Sequence, residues 1–320
     1  MNTNPQQPHI VVSEPLSDRA LAHLREHARV TQVSAEEAAA AVADADGLVV
    51  RTYTQVNDGF LSMAPRLKVV GRAGVALENI DVPACRRRGI EVVHTPEANT
   101  LAVVDYTIGS IINMNRRFWP ITQPMTAEQF HKARKNIFGR FLSGATLGII
   151  GAGRIGSRVG RAAAALGMRV LYNDIKDIAL DYPATAVDKD TLYAQSDIIT
   201  IHTPLTNLTR KFINASAIGK FKKGVQFINA ARGQCVDYPA LAAALKDGRV
   251  AYATIDCHDP EPPPMDYPLY GLDNVTLTPH VAARVPSAVE AMCDVVYDVV
   301  AVVQGRAPKY PAQPDAYGGE

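Results

Sequence analysis

The chain has 320 residues, 47% of them hydrophobic and 20% charged, a globular composition long enough for about two domains. Its 33 Lys and Arg against 32 Asp and Glu leave a net charge of +1, without the basic excess of a nucleic-acid or membrane-surface protein. The polar start through Pro8 is unlike a secretory leader, and no apolar run nears the roughly 18 residues of a membrane span, so the expected location is cytoplasmic.

Short apolar, β-branched runs at 9–12, 47–51, 67–70 and 90–93 predict a first set of strands, with helical patterns at 18–27 and 35–43 between them. A long apolar helix is predicted over 101–115. The stretch 116–142 then holds two Pro, six Lys or Arg and one acid, Glu128, and is expected as an exposed arm or loop facing solvent or a second copy of the chain. A second set of strands follows at 146–150, 169–172, 198–201, 226–228, 253–255 and 275–277, with helices over 153–166 and 239–246. Apolar residues at Val289, Met292, Val296, Val300 and Val303 predict a helix over 285–303 that packs back on the first domain, and 308–320 reads as a loose tail. Continuous apolar runs suit strands buried on both faces of a parallel sheet, so strand and helix in repetition mean an α/β fold. Cys85, Cys235, Cys257 and Cys293 form no CxxC pair and are expected as reduced packing residues; no metal site is expected.

The strand at 147–150 runs into Gly151-Ala152-Gly153-Arg154-Ile155-Gly156 and a small-residue helix, and the next strand closes on Asp174. Gly151 allows a tight turn, Gly153 lets the backbone approach a pyrophosphate, and Gly156 lets the helix pack on the strand. The helix N-terminus suits the anion. Asp174 is placed to accept hydrogen bonds from ribose hydroxyls and to repel a 2′-phosphate, which favours NAD over NADP, with Lys176 nearby tempering the preference.

Three later strands each end in polar residues: Asn229 to Gly233, Asp256 to Pro262, and Thr278-Pro279-His280. Ligands in open α/β sheets sit beyond the carboxyl ends of strands, so Arg232, Glu261 and His280 are the residues expected to converge beside the nicotinamide. With Asn229-Ala230-Ala231-Arg232-Gly233-Gln234-Cys235-Val236-Asp237, the loop 256–262, Thr278-Pro279-His280, His202-Thr203-Pro204-Leu205-Thr206, Val70-Gly71-Arg72-Ala73-Gly74-Val75 with Asn79-Ile80-Asp81, and Thr95-Pro96 with Asn99-Thr100, the chain resembles the D-isomer-specific 2-hydroxyacid dehydrogenases over residues 10–305.

The resemblance implies two Rossmann-like, flavodoxin-like domains with parallel sheets separated by a cleft. Residues 1–99 with 286–320 would form a substrate-binding lid domain and 100–285 an NAD-binding domain, with hinges near 97–100 and 285–287. It implies hydride transfer between NAD and a D-2-hydroxy acid or its 2-keto acid, with Arg232 on the substrate carboxylate, His280 as proton donor and acceptor, and Glu261 orienting His280. Cofactor contacts would come from Gly151, Gly153, Arg154, Ile155, Gly156, Asp174, His202, Thr203, Pro204, Thr209, Ala230, Ala231, Arg232, Asp256, His280 and Val103. Backbone N–H groups of Val75 and Ala76, with Asn99 and Arg232, would bind substrate. Arg51 and Thr52 read equally as contacts to the substrate's far end or as loop caps. Ala76 and His94 depart from the family pattern, as does the arm, where Trp119 stands early; an added Cβ at residue 76 should crowd the substrate loop. No appended regulatory domain is expected, and family analogy suggests a homodimer. Two other readings are a 3-phosphoglycerate-type dehydrogenase and, from a different class, an NAD(H)-sensing corepressor-like binding protein.

Overall fold

A computed structural model describes residues 7–118 and 120–313. The chain divides into two compact units, Met1–Asn99 with Ala283–Glu320, and Thr100–Ala282.

The first unit runs β1 (His9–Val12), α1 (Asp18–His27), β2 (Arg29–Gln32), α2 (Ala38–Ala41), β3 (Gly47–Val50), α3 (Asp58–Ser62), β4 (Val69–Arg72), α4 (Val82–Arg87) and β5 (Glu91–His94). Its five strands are parallel in the order β2-β1-β3-β4-β5. Every residue of β1 and β3 is buried, as strands covered on both faces must be. The sequence missed β2. As an edge strand, Arg-Val-Thr-Gln is half exposed and carries no apolar run. The strand expected at 67–70 sits two residues later, because Leu67 closes a turn on the Ala64 carbonyl. The helix expected over 35–43 shrinks to α2, with a Ser34–Glu37 turn ahead of it.

The second unit runs α5 (Thr100–Asn115), α6 (Ala127–Asn136), β6 (Thr146–Ile150), α7 (Arg154–Ala165), β7 (Arg169–Asn173), β8 (Thr185–Ala186), α8 (Lys189–Gln195), β9 (Ile198–Ile201), α9 (Ala215–Gly219), β10 (Val225–Asn229), α10 (Tyr238–Lys246), β11 (Val250–Ile255) and β12 (Val275–Leu277). All seven strands are parallel, in the order β12-β11-β10-β9-β6-β7-β8. The chain winds outward from β6 in one direction and then from β9 in the other. That reversal opens a crevice at the strands' carboxyl ends. Asn173, Ile150, Ile201, Asn229, Ile255 and Leu277 pair across the sheet as one row, so the segments that follow all leave it side by side. Residues 116–142 are largely exposed, but they are not simply a loop. Thr126 and Gln129 form a capping box that starts α6.

The chain then returns to the first unit through α11 (Pro286–Cys293) and α12 (Val295–Val303). These replace the single helix expected over 285–303. The break falls at Asp294, whose carboxylate pairs with Arg19 and interrupts the apolar stripe. The Val-rich α12 is buried against β3, β4 and β5. Residues 310–312, expected within a loose tail, instead dock along β5: His94 N–H bonds the Tyr310 carbonyl and Ala312 N–H the Val92 carbonyl. The rest of that tail, the first six residues and Trp119 lie outside the described residues. All four cysteines are free and buried. Among the described residues no helix is long and apolar enough to cross a membrane.

Candidate active site

The row of strand ends in the second unit positions every candidate group there. β6 passes into Gly151, where φ is +90° and an added Cβ would lie 2.7 Å from the His202 carbonyl oxygen; only glycine fits both demands. Gly156 packs against the Gly151 carbonyl. At Gly153 a Cβ would meet no protein atom within 4 Å, so the glycine there leaves open space in front of the backbone. No side chain caps α7, which starts at Arg154 and Ile155, so its first N–H groups are left for an anion. From the end of β7, Asp174 reaches back. Its Oδ2 accepts from Ala152 N–H at 2.8 Å and its Oδ1 from Lys176 N–H at 3.0 Å, and a carboxylate with about four acceptor sites retains capacity for ribose hydroxyls.

The segment after β9 abuts this loop. His202 N–H bonds the Ile150 carbonyl, and Thr209 Oγ1 donates to the Pro204 carbonyl at 2.7 Å, fixing the turn that begins with Thr203 and Pro204. Burial pushes the His202 pKa down to about 4, so the ring is neutral near pH 7. Its Nε2 meets Thr200 Oγ1 at 3.0 Å, while its Nδ1 is buried with no partner among the described residues. An open glycine cradle, an uncapped helix start, an acid at the neighbouring strand end and an orphaned ring nitrogen together fit a dinucleotide. Val103 lies 4% exposed in α5, and Ala230 and Ala231 are each 9% exposed.

The three catalytic candidates follow β10, β11 and β12. Asn229 is fully buried and braces the first loop: its Oδ1 accepts from Ala231 N–H and its Nδ2 donates to the Arg232 carbonyl. Gly233 lies so close to the second loop that a Cβ there would collide with the His258 carbonyl. Asp256 is fully buried, and its carboxylate accepts from Thr278 Oγ1 at 2.6 Å, Val281 N–H at 2.8 Å and Ala282 N–H at 2.9 Å. It therefore anchors the loop that carries His280. His280 Nδ1 bonds Glu261 Oε2 at 2.9 Å, and the other Glu261 oxygen accepts from His258 N–H at 2.7 Å. His280 Nε2 lies 3.7 Å from Cys257 Sγ. Cys257 Sγ in turn donates to the Ala231 carbonyl, which also accepts from Arg232 Nη1 at 2.6 Å. The structure thus brings Arg232, Glu261 and His280 into one connected cluster.

Electrostatics follow from these contacts. Hydrogen bonds to Cys257 and Glu261 push the His280 pKa up to about 10, against the lowering effect of burial. Burial alone would raise Glu261, but His280 and the His258 N–H hold it below the ordinary carboxylate range. A half-exposed imidazolium beside an ionised carboxylate, next to a guanidinium loop, can exchange a proton with a bound oxygen and hold a carboxylate.

The first unit's candidates have surroundings of their own. The N–H groups of Arg51, Thr52, Tyr53 and Thr54 all bond the buried Glu14 carboxylate, at 2.8 to 3.2 Å, and Arg51 Nη1 donates to the Pro15 carbonyl. His94 Nδ1 donates to the Val75 carbonyl at 2.8 Å, which gives this departure from the family pattern a role in bracing the loop that follows β4. Ala76 is buried. Asn99 Oδ1 is buried without a partner among the described residues.

Sequence reasoning missed Glu14, Tyr106, His258 and the contact made by Cys257. Glu14 does stand just past the first strand, at the kind of strand end where ligands sit in such sheets. His258 and Cys257 lie inside a segment already singled out. Nothing local marks Tyr106, whose hydroxyl meets Thr278 Oγ1 at 2.6 Å.

Comparison with known proteins agrees with this geometry. Residues 108–282 match the D-isomer specific 2-hydroxyacid dehydrogenase, NAD binding domain. The chain is 38% identical over 286 residues to a D-3-phosphoglycerate dehydrogenase of Archaeoglobus fulgidus, covering 87% of this chain and 54% of that one. It therefore spans about half the length of the curated relatives it matches first. It is 36% identical over 282 residues to a glyoxylate reductase of Thermofilum pendens, covering 86% and 83%. Among solved structures, the TT0316 protein of Thermus thermophilus superposes with a TM-score of 0.84 at 33% identity, covering 95% of this chain and all of that one.

Proposed function

Since the chain belongs to the D-isomer-specific 2-hydroxyacid dehydrogenase family, we propose that it interconverts a D-2-hydroxy acid and its 2-keto acid using NAD. The observation that carries this reading is the His280–Glu261 pair, tied through Cys257 to the Arg232 loop at the carboxyl ends of β10, β11 and β12. Arg232 binds the substrate carboxylate with a planar fork of donors, which Lys does not offer. His280 gives its proton to the keto oxygen in reduction and takes one from the hydroxyl in oxidation. Glu261 fixes the ring and favours its charged form. Bound NAD supplies or accepts the hydride. Gly151, Gly153 and Gly156 seat the pyrophosphate, Asp174 the ribose, and the buried Asp256 orients the His280 loop. In the other unit, Val75, Ala76 and Asn99 are assigned to the substrate, with Arg51 and Thr52 at its far end.

The test is NADH consumption against glyoxylate, hydroxypyruvate, pyruvate and bulkier 2-keto acids, repeated with NADPH. Arg232→Ala lowers kcat/KM by about 10²–10³-fold, as loss of a desolvated charge partner implies, while NADH still binds. Turnover like the wild type in both Arg232→Ala and His280→Ala would remove the assignment. The curated relatives favour one second reading, 3-phosphoglycerate oxidation. Equal kcat/KM for 3-phosphoglycerate and D-glycerate would end it.

The free, buried cysteines support a cytoplasmic location, checked by cell fractionation. Phe118, Phe138 and Phe141, each more than four-fifths exposed on residues 116–142, support a homodimer built on that segment. Light scattering of the full chain reads its mass.

A further inference from the structure

The last two turns of α1 carry His23-Leu24-Arg25-Glu26-His27, with histidines four residues apart and a glutamate next to the second. That spacing makes both Glu26 and His27 helix neighbours of His23, and histidines at i and i+4 are the pair through which helical zinc motifs ligate. One ligand atom from each of His23, Glu26 and His27 lies within 4.8 Å of the others. The two imidazoles are pre-oriented. His27 Nδ1 lies 3.0 Å from the His23 carbonyl oxygen, which can only accept, so Nδ1 donates there and Nε2 is the ring nitrogen left for a metal. The His23 ring is held at 4.3 Å from the Tyr297 ring of α12 and 4.6 Å from the His27 ring.

We propose that His23, Glu26 and His27 form a binding site for one zinc-class divalent cation at the carboxyl end of α1. Two imidazole nitrogens and one carboxylate oxygen supply three ligands, and water completes the tetrahedron that zinc prefers. The end of α1 presents the negative pole of the helix dipole, which favours a cation. His23 is partly buried, with Glu26 and His27 as its titratable neighbours on α1. Arg19 and Arg306 also act on His23. The Arg19 charge is taken up by Glu290 and Asp294, and Arg306 bonds Gln304. Because His23 packs on Tyr297, a bound cation secures the end of α1 against α12.

The experiment is calorimetric titration of the chelator-treated full chain with zinc chloride, with thermal unfolding in parallel. The wild type takes up zinc on this helix and its Tm rises with zinc, because the ion binds the folded helix and not the unfolded chain. His23→Gln and His27→Gln each weaken that uptake roughly tenfold or more, at least the loss seen when a supporting partner of a ligand is removed. Both keep the wild-type rate of keto-acid reduction. Cys257, Glu261 and His280 also lie close enough to share an ion, so Cys257→Ser is the control, and it keeps zinc on α1. No uptake by the wild type, or uptake that survives both histidine variants and disappears in Cys257→Ser, overturns the proposal.

Discussion

Both ring nitrogens of His280 are engaged, Nδ1 by Glu261 and Nε2 by Cys257, and this holds its pKa at about 10. Reduction needs the imidazolium, so kcat/KM for a keto acid stays level near neutrality and falls as pH rises through about 10 in pH–rate profiles; oxidation climbs over the same range. In Glu261→Gln the break moves to lower pH, and an unmoved break would remove Glu261 from its assigned part. The folded-state pKa is raised above the ordinary histidine value, so the accompanying stability is present below that value and lost as pH passes through about 10. It is small, because the pair is about half exposed. Asp174 faces the ribose by assignment. Asp174→Ser raises the NADPH-to-NADH ratio of kcat/KM by roughly tenfold, the scale of one relieved like-charge contact; an unchanged ratio would place the ribose elsewhere.

Among the elements, the loops after β10, β11 and β12 behave as one braced layer. Gly233 touches the second loop and Asp256 holds the third. Gly233→Ala forces a Cβ against backbone that cannot swing aside. It is expected to cost more than the usual 1–3 kcal/mol (roughly) of overpacking in urea unfolding and to abolish turnover. Asp256→Asn leaves one of the Thr278, Val281 and Ala282 donors facing an amide NH2. That costs about 1–3 kcal/mol for an unsatisfied buried group and lowers kcat more than it raises KM. An Asp256→Asn protein with full stability and full kcat would show that the loop needs no anchor. The strands beneath were legible as apolar runs, whereas β2 and β8 were not: edge strands half in water have no need of an apolar pattern. Asp294 likewise broke a helix whose 3–4 spacing reads as unbroken through it.

For the whole molecule, the proposed dimer rests on the exposed phenylalanines of residues 116–142. Replacing Phe138 and Phe141 together by serine shifts the full chain toward a monomer in light scattering, with the Tm of each folded chain nearly unchanged, since neither side chain is part of a core. A wild-type monomer at working concentration would end the dimer reading.

Chain-local signals were enough for much of this protein. Buried strands announce themselves by composition and the Gly151–Gly156 turn by the conformations and close approaches that glycine permits; Arg232, Glu261 and His280 stand just past strands, and it is their joint arrangement and the family resemblance that give them candidate roles. Contacts between distant segments follow from strand order and register, which no window of sequence carries. Only the folded sheet put Asn173, Ile150, Ile201, Asn229, Ile255 and Leu277 in one row. From that row come Cys257 against His280, Asp256 under the His280 loop and the orphaned nitrogen of His202. In the other unit the Glu14 carboxylate likewise gathers four backbone donors from 37 to 40 residues away.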